Sequence, residues 1–296
     1  MPSTLRLATR GSAQATAQAQ SVADALMAAH SGLRVELVFV ETLGDQRTDV
    51  PLHTIGGQGV FVKEVQRAVL DGNADFAAHS AKDLPSVVGE GLHLAAFSAR
   101  RDPRDALVGR TLADLPQGAT VASGSVRRRA QLAAVRPDLQ FVELRGNIQT
   151  RLGKLPEGGA LVMAVAALQI LGLTDRIAEA LPSDTFVPSP GQGCVALECR
   201  ADDARTADLL AAIDHHPTRL DVEAERAFLA ELGTGCSLPV AAHADGDRLY
   251  GFLAAPSPDS ACGRFVRRRV SLPPAGPQRL ILAASLARAL RSELEV

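Results

Sequence analysis

Three short stretches set hydroxyl and guanidinium groups where an apolar run gives way to a helical pattern: "LATRGSAQ" (7–14), "VASGSVRRRAQ" (121–131) and "LRGNIQTR" (144–151). In the first, Arg10 and Ser12 stand just ahead of the helix. In the second, Ser123 and Ser125 precede Arg127 and Arg128. In the third, Arg145 marks the junction and Arg151 follows a turn later. Amides at a helix N-terminus favour anions, and an arginine adds a full charge on a planar fork that matches a carboxylate or phosphate. Arginine there does little for the helix itself, because the macrodipole prefers acids at that end. One serine in such a place is only an N-cap. Three parallel junctions point to several carboxylates or phosphates facing one cleft.

Two further constellations carry chemistry. "HSAKDLP" (79–85) ends a buried strand and at once delivers Ser80, Lys82 and Asp83 before Pro85 stops regular structure. Taken alone it is a turn cap or a surface ion pair. In a cleft, Asp83 would act on a proton or on a developing positive charge; His79, at the strand end, reads as packed in place. "ELGTGCSLPV" (231–240) presents Cys236 after Gly233 and Gly235, a turn where the backbone bends sharply or something approaches closely. That thiol is a packing group, a nucleophile, a metal ligand or an attachment point.

The elements that must position these groups alternate. Strands over 5–9, 35–42, 74–80 and 92–99 and helices over about 12–29 and 59–72 form a first α/β segment. "RRDPRDALVG" (100–109) breaks the apolar pattern and reads as a crossing. A second α/β segment follows, with strands in "TVASGS", "QFVELR" and "ALVMAVAAL" and helices in "RRRAQLAAV" and "NIQTRLGKL". "LPSDTFVPSPGQG" (181–193), with three prolines, reads as the return crossing, and the strand 194–200 rejoins the first segment. The predicted units are therefore 1–99 with 194–214, 100–193, and a smaller α+β unit over 215–296. The last holds a long helix, a hairpin around Asp245–Gly246, the strand "RFVRRRVSL" and a terminal helix. Two crossings between two lobes imply a hinged cleft, where ligands commonly bind.

Composition narrows the function classes. Hydrophobic residues make up 46% and charged residues 22% of 296, as in a globular protein, and no segment has the roughly 18 apolar residues of a membrane span. The N-terminus carries no signal-peptide pattern, so a cytoplasmic location is expected. None of the four cysteines is spaced as a zinc or redox pair, and no metal site is expected. Of 31 basic residues only Lys63, Lys82 and Lys154 are lysine. A GC-rich genome or carboxylate and phosphate recognition accounts equally for that bias.

Taken together, "LATRGS", "GGQGVFVKE", "HSAKDLP", "RRDPRDAL", "VRRRAQL", "LRGNIQTRL", "PGQG", "HHPTRLDVEAERAFL" and "GTGCSLPV", in this order along nearly the whole chain, resemble the porphobilinogen deaminase (hydroxymethylbilane synthase) family. The resemblance implies an α/β protein with two lobes shaped like a periplasmic binding protein and a small C-terminal domain. It implies a dipyrromethane cofactor joined through a thioether to Cys236, and a transferase of heme biosynthesis that condenses four porphobilinogen molecules into a linear tetrapyrrole. Each pyrrole brings an acetate and a propionate, which gives the arginines their purpose. Carried over by position, Lys82, Ser80, Ser123, Ser125, Arg127, Arg128 and Arg151 would hold the cofactor. Arg10, Ser12, Arg145, Phe61 and Gln192 would serve the substrate and growing pyrrole chain, and Asp83 would contact pyrrole N–H groups and stabilise the cation left when ammonia departs.

The chain departs from the family pattern at Gln58, Gly124, Ala167, Ile170, Cys194 and Thr234. Ile170 stands where arginine is usual and would remove a carboxylate contact during elongation. Such departures keep open a catalytically impaired paralogue that only binds a pyrrole or polycarboxylate, although a pure binder needs neither Cys236 nor Asp83. A cysteine hydrolase would need a histidine beside Cys236, and His243 is unconstrained. Nucleic-acid binding through "VRRRA" and "FVRRRV" lacks aromatic partners, since aromatics are only 3%. No protein or membrane partner is evident.

Overall fold

The computed structural model describes residues 4–46, 59, 61–233, 239–255 and 263–295. Cys236, Thr234, Gln58 and Cys262 lie outside the described residues.

The first lobe is built on a five-stranded sheet. Strand β1 (Thr4–Arg10) is followed by α1 (Ala13–Ala29), β2 (Arg34–Val40), the short α2 (Leu43–Gln46), α3 (Lys63–Leu70), β3 (Phe76–Ser80) and β4 (Leu92–Phe97). The second lobe contains β5 (Asp105–Val108), β6 (Thr120–Ala122), α4 (Val126–Val135), β7 (Gln140–Val142), α5 (Ile148–Leu152), β8 (Ala160–Ala164), α6 (Val165–Ile170) and β9 (Ile177–Ala180). The chain then returns through β10 (Val195–Arg200) and α7 (Ala204–Ala211) to the first lobe. It ends in α8 (His216–Leu232), β11 (Val240–Asp245), β12 (Arg248–Ala254), β13 (Phe265–Ser271) and α9 (Pro277–Glu295).

The two large sheets repeat one plan. The first runs β2-β1-β3-β10-β4 and the second β7-β6-β8-β5-β9. In each, three parallel strands meet one antiparallel strand, β10 or β5, which is the first strand after a crossing. Apolar residues on both faces of these strands bury against helices, as parallel strands require. Leu7, Leu26, Phe76 and Leu197 centre the first core, and Leu107, Val121, Leu132 and Val162 the second. The third sheet, β11-β12-β13, is covered twice. Phe228, Leu249 and Leu290 join it to α8 and α9, while Phe252 and Ala241 meet Ala130 and Val187 of the second lobe. These three units form the α/β architecture expected from the alternating pattern.

Several elements differ from the sequence reading. The run 160–168 is β8 followed by α6, with no side-chain cap to mark the change at Ala164. The charged crossing already contains β5, and α3 starts at Lys63 rather than at residue 59. In contrast, Ser12, Ser125 and Asn147 each cap the helix they precede, so all three junctions form as strand-to-helix turns.

The crossings are fastened together and to the third unit. Arg101 N–H donates to the Gly193 carbonyl at 2.8 Å. Gly193 and Gly191 have φ of +88° and +71°, and a Cβ at either would meet Arg101 O at 2.7 Å or the Ala81 backbone at 2.9 Å. That close approach is why this turn needs its glycines. Glu225, fully buried on α8, accepts from Arg100 (2.7 and 2.8 Å), Gly191 N (2.6 Å) and Ala244 N (2.8 Å). Burial alone would raise its carboxyl, but Arg100 and the bond with His243 outweigh that and hold it down at about 2.

Candidate active site

Both sheets end their parallel strands on one cavity of about 790 Å³ between the lobes. This is where ligands of open α/β sheets bind, outside the carboxyl ends of the strands. Arg10 ends β1 and Ser12 follows it, Ser80 ends β3 ahead of Lys82 and Asp83, Ser125 follows β6, and Arg145 precedes α5, which carries Arg151. All of them line the cavity, with Phe61, Arg127, Arg128 and Gln192. Among the described residues, the wall carries seven basic side chains against three acidic ones, Glu41, Asp45 and Asp83. Arg226 of α8 is the seventh cation, brought in by the third unit.

The arginine pair is organised by a residue that the sequence reading took for part of a linker. Asp105, fully buried at the start of β5, accepts from Arg127 Nη1 at 2.7 Å and from Arg128 Nε and Nη2 at 2.9 and 2.7 Å. Arg127 also donates to Val187 O (2.8 Å) and Arg128 to Val162 O (3.1 Å). Gln192, at 1% exposure, donates to Asp105 (3.0 Å) and Pro103 O (2.7 Å), while its carbonyl accepts from Lys82 Nζ at 3.3 Å. It is thus a bridge between Lys82 and Asp105 in the cavity wall. Burial would raise the Asp105 carboxyl; Arg127 and Arg128 reverse this and hold it well below the usual carboxylate range.

Lys82 and Arg151 are part-buried cations of this wall. Burial, reinforced by Arg128, lowers Lys82 to about 8. Burial, with Arg128 and Arg145 nearby, lowers Arg151 to about 10, and its Nε donates to the Gly146 carbonyl at 2.7 Å. Asp83, on a 3-10 turn over Ala81–Asp83, works against both shifts. Positive charge gathered in a dry wall at such a cost is relieved by anions, so the site fits a ligand carrying several carboxylates.

The remaining residues take distinct places. Arg10 pairs side-on with Asp45, Nε to Oδ2 at 3.1 Å, and its guanidinium carbon lies 4.0 Å from the Phe61 ring centroid. Ser80 Oγ donates to Gln18 Oε1 at 3.0 Å. Ser123 is 1% exposed and stands behind the wall, its hydroxyl accepting from Ser125 N at 3.2 Å, while Gly124 and Ser125 face the cavity. A Cβ on Gly124 would lie 2.7 Å from Leu144 O, so this turn has no room for the serine usual there. Cys194 is buried, its thiol pushed up to about 12 by burial; burial likewise raises that of buried Cys199 to about 11. Among the described residues, no group of three His, Cys, Asp or Glu is placed to hold a metal, and no helix is long and apolar enough to cross a membrane.

Sequence reasoning missed Asp105, Asp45 and Arg226. The acid of "RRDPRDAL" does carry a signal, since it opens the short apolar run "ALV". Asp45 and Arg226 carry none, as charged residues on helices.

The chain is similar to known proteins. Residues 5–208 match the family described as porphobilinogen deaminase, dipyromethane cofactor binding domain, and residues 219–260 match its C-terminal domain. A porphobilinogen deaminase of Roseiflexus sp. (strain RS-1) is 49% identical over 256 residues, which is 84% of each chain. Among solved structures, the methionine binding protein MetQ is 13% identical at a TM-score of 0.44, over 80% of this chain and 97% of that one. A nutrient binding protein from Burkholderia cenocepacia is 15% identical at 0.42, over 70% and 89%. With matches spanning both lobes and the third unit, the chain belongs to the porphobilinogen deaminase family.

Proposed function

We infer that the protein is a hydroxymethylbilane synthase, which deaminates four porphobilinogen molecules and joins them head to tail on a dipyrromethane cofactor. The observation that carries the reading is the excess of cations around one cavity of about 790 Å³, with Asp83 set among them. Cys236 is the proposed attachment point. Cys194 and Cys199 are buried with raised thiols and unsuited to bond a ligand. The walls that flank residues 234–238 in sequence, Leu229 and Val240, line the same cavity.

Lys82 and Arg151 are proposed to hold cofactor carboxylates directly. Arg127 and Arg128, already shared with Asp105, would present their remaining donors, while Ser80, Ser123 and Ser125 shape the turns beside them. Bound there, the cofactor supplies the nucleophilic pyrrole carbon for the first addition. Arg10, Ser12, Arg145, Phe61 and Gln192 form the proposed substrate side. Asp83 would accept from pyrrole N–H and balance the positive charge that grows as ammonia leaves. The division into residues 1–99 with 194–214, 100–193 and 215–296 is proposed on the three sheets and the two crossings. A cytoplasmic setting is proposed on the free thiols of Cys194 and Cys199.

Intact mass under denaturing conditions tests the reading. Protein from a host that makes porphobilinogen is expected to carry the mass of two linked pyrroles, absent in Cys236→Ser, and to gain further units with substrate. An unmodified mass unaffected by substrate would leave only a binding protein. Lys82 adds a pH signature. In cofactor-free Cys236→Ser protein, porphobilinogen can take the place of the cofactor pyrroles at Lys82; its binding there should be strongest below pH 8, where Lys82 is protonated, and should weaken as pH rises through about 8. Calorimetry should find that dependence lost in Lys82→Met.

A further inference from the structure

Gly44 and Asp45 are successive residues of α2, and both touch the Arg10 assembly. Asp45 is fixed by Thr42, whose hydroxyl donates to its carboxylate at 2.7 Å and whose N–H donates at 3.3 Å. The fixed carboxylate engages Arg10 through Nε and Nη2, which leaves Nη1 as the nitrogen this pairing does not use. Phe61 lies against Arg10 and reaches back over Gly44. A Cβ on Gly44 would fall 2.2 Å from Phe61 Cε1 and 2.4 Å from Cδ1. Gly44 is not among the residues with positive φ, so its backbone does not call for glycine. The ring does.

We propose that Gly44 is a positioning residue for substrate binding: the space it leaves seats Phe61, and the seated ring holds the Arg10 guanidinium in the one plane from which it can take a substrate carboxylate. The argument is one of two constraints on one group. Asp45 fixes an edge of the fork, but a fork held by one edge still swings about it. A ring stacked at 4.0 Å removes that swing. All four residues line the cavity, so the assembly acts on whatever enters. Phe61 on this account positions Arg10, with one face committed to the cation. The proposal rests on the reading of Arg10 as a substrate contact.

Because the atoms a Cβ would meet belong to a side chain that can move, Gly44→Ala should fold and displace the ring. Its KM for porphobilinogen is expected to rise about tenfold with little change in kcat, the size of one lost cation–π constraint. Phe61→Leu should raise KM similarly, and adding Gly44→Ala to it should cost nothing more, since the clash is gone. An independent readout needs no turnover. The Arg10 Nε–H proton, identified by its loss in Arg10→Lys, should resonate upfield under the Phe61 ring current and return to the ordinary arginine range in Gly44→Ala. An unmoved Arg10 signal, or an equal KM penalty from Gly44→Ala with and without Phe61, overturns the proposal. If Arg10→Gln itself leaves KM unchanged, the reading of Arg10 fails instead, whatever Gly44 does.

Discussion

Asp105→Asn is expected to destabilise the protein by about 3–5 kcal/mol, the range for removing one member of a buried ion pair. The variant keeps shape and some hydrogen bonding, so lost packing contributes little. What it removes is the only carboxylate hydrogen-bonded to both Arg127 and Arg128 among the described residues. Arg127 and Arg128 are nearly buried, at 6% and 8% exposure, and Lys82 adds a like charge beside them. A lost neutral hydrogen bond costs about 1–3 kcal/mol when its partner stays buried. Two uncompensated cations cost more, so the charge decides the outcome.

The pH dependence separates charge from shape. The Asp105 carboxyl titrates well below its unfolded value, so its stabilisation is fully present above the unfolded value of about 4. It is lost as pH falls from there through the lower folded value. Asp105→Asn should therefore be less stable by a constant amount from pH 5 to 7 and show a shallower loss below pH 4. Urea midpoints across that range measure both, with the slope m unchanged if only stability has moved. A difference below about 1 kcal/mol at pH 7 would mean that the carbonyls of Val187 and Val162 suffice for the two arginines.

This residue also marks where the sequence stops being legible. Local devices were readable: Ser12 and Ser125 cap helices because a hydroxyl followed by an apolar period has few other uses, whereas the cap Asn147 was not singled out. Two Pro-rich or charged breaks led to the expectation that residues 194–200 rejoin the first lobe, and β10 lies between β3 and β4. Asp105 was not, because its partners stand 22, 23 and 87 residues away and meet it only in the folded chain. The run 160–168 failed for a different reason. Short apolar segments have the same pattern in a buried strand and a buried helix, and Ala164 supplies no cap to divide them. Ser123 failed on direction: in "SGS" both hydroxyls are plausible, and only the turn geometry sends one behind the wall.

Asp83→Asn is expected to lower turnover by about 10²–10⁴-fold, the usual worth of a positioned proton-handling group, while the covalent mass of the cofactor persists. The position is rigid. Asp83 closes the 3-10 turn that begins at Ala81, whose N–H donates to the Cys194 carbonyl at 2.9 Å, and Leu84 beyond it is buried. Asparagine fits that place and can still accept one N–H with its carbonyl, but it cannot balance a positive charge. If Asp83 only orients a pyrrole, the asparagine variant should keep much of its rate. If its charge stabilises the cation formed as ammonia leaves, Asp83→Asn should be nearly inert and Asp83→Glu should recover part of the rate. There is a competing path to inactivity, because Asp83 also supports the charged form of Lys82. Its loss should drive Lys82 further below about 8 and weaken the hold on cofactor carboxylates at alkaline pH. Measuring turnover and intact mass together at pH 7 distinguishes the two: low turnover with full cofactor mass implicates the chemistry, and low turnover with missing mass implicates cofactor attachment, which Lys82 would assist by holding its carboxylates. Normal turnover in Asp83→Asn would take the residue out of the mechanism and leave the cationic wall as a binding surface alone.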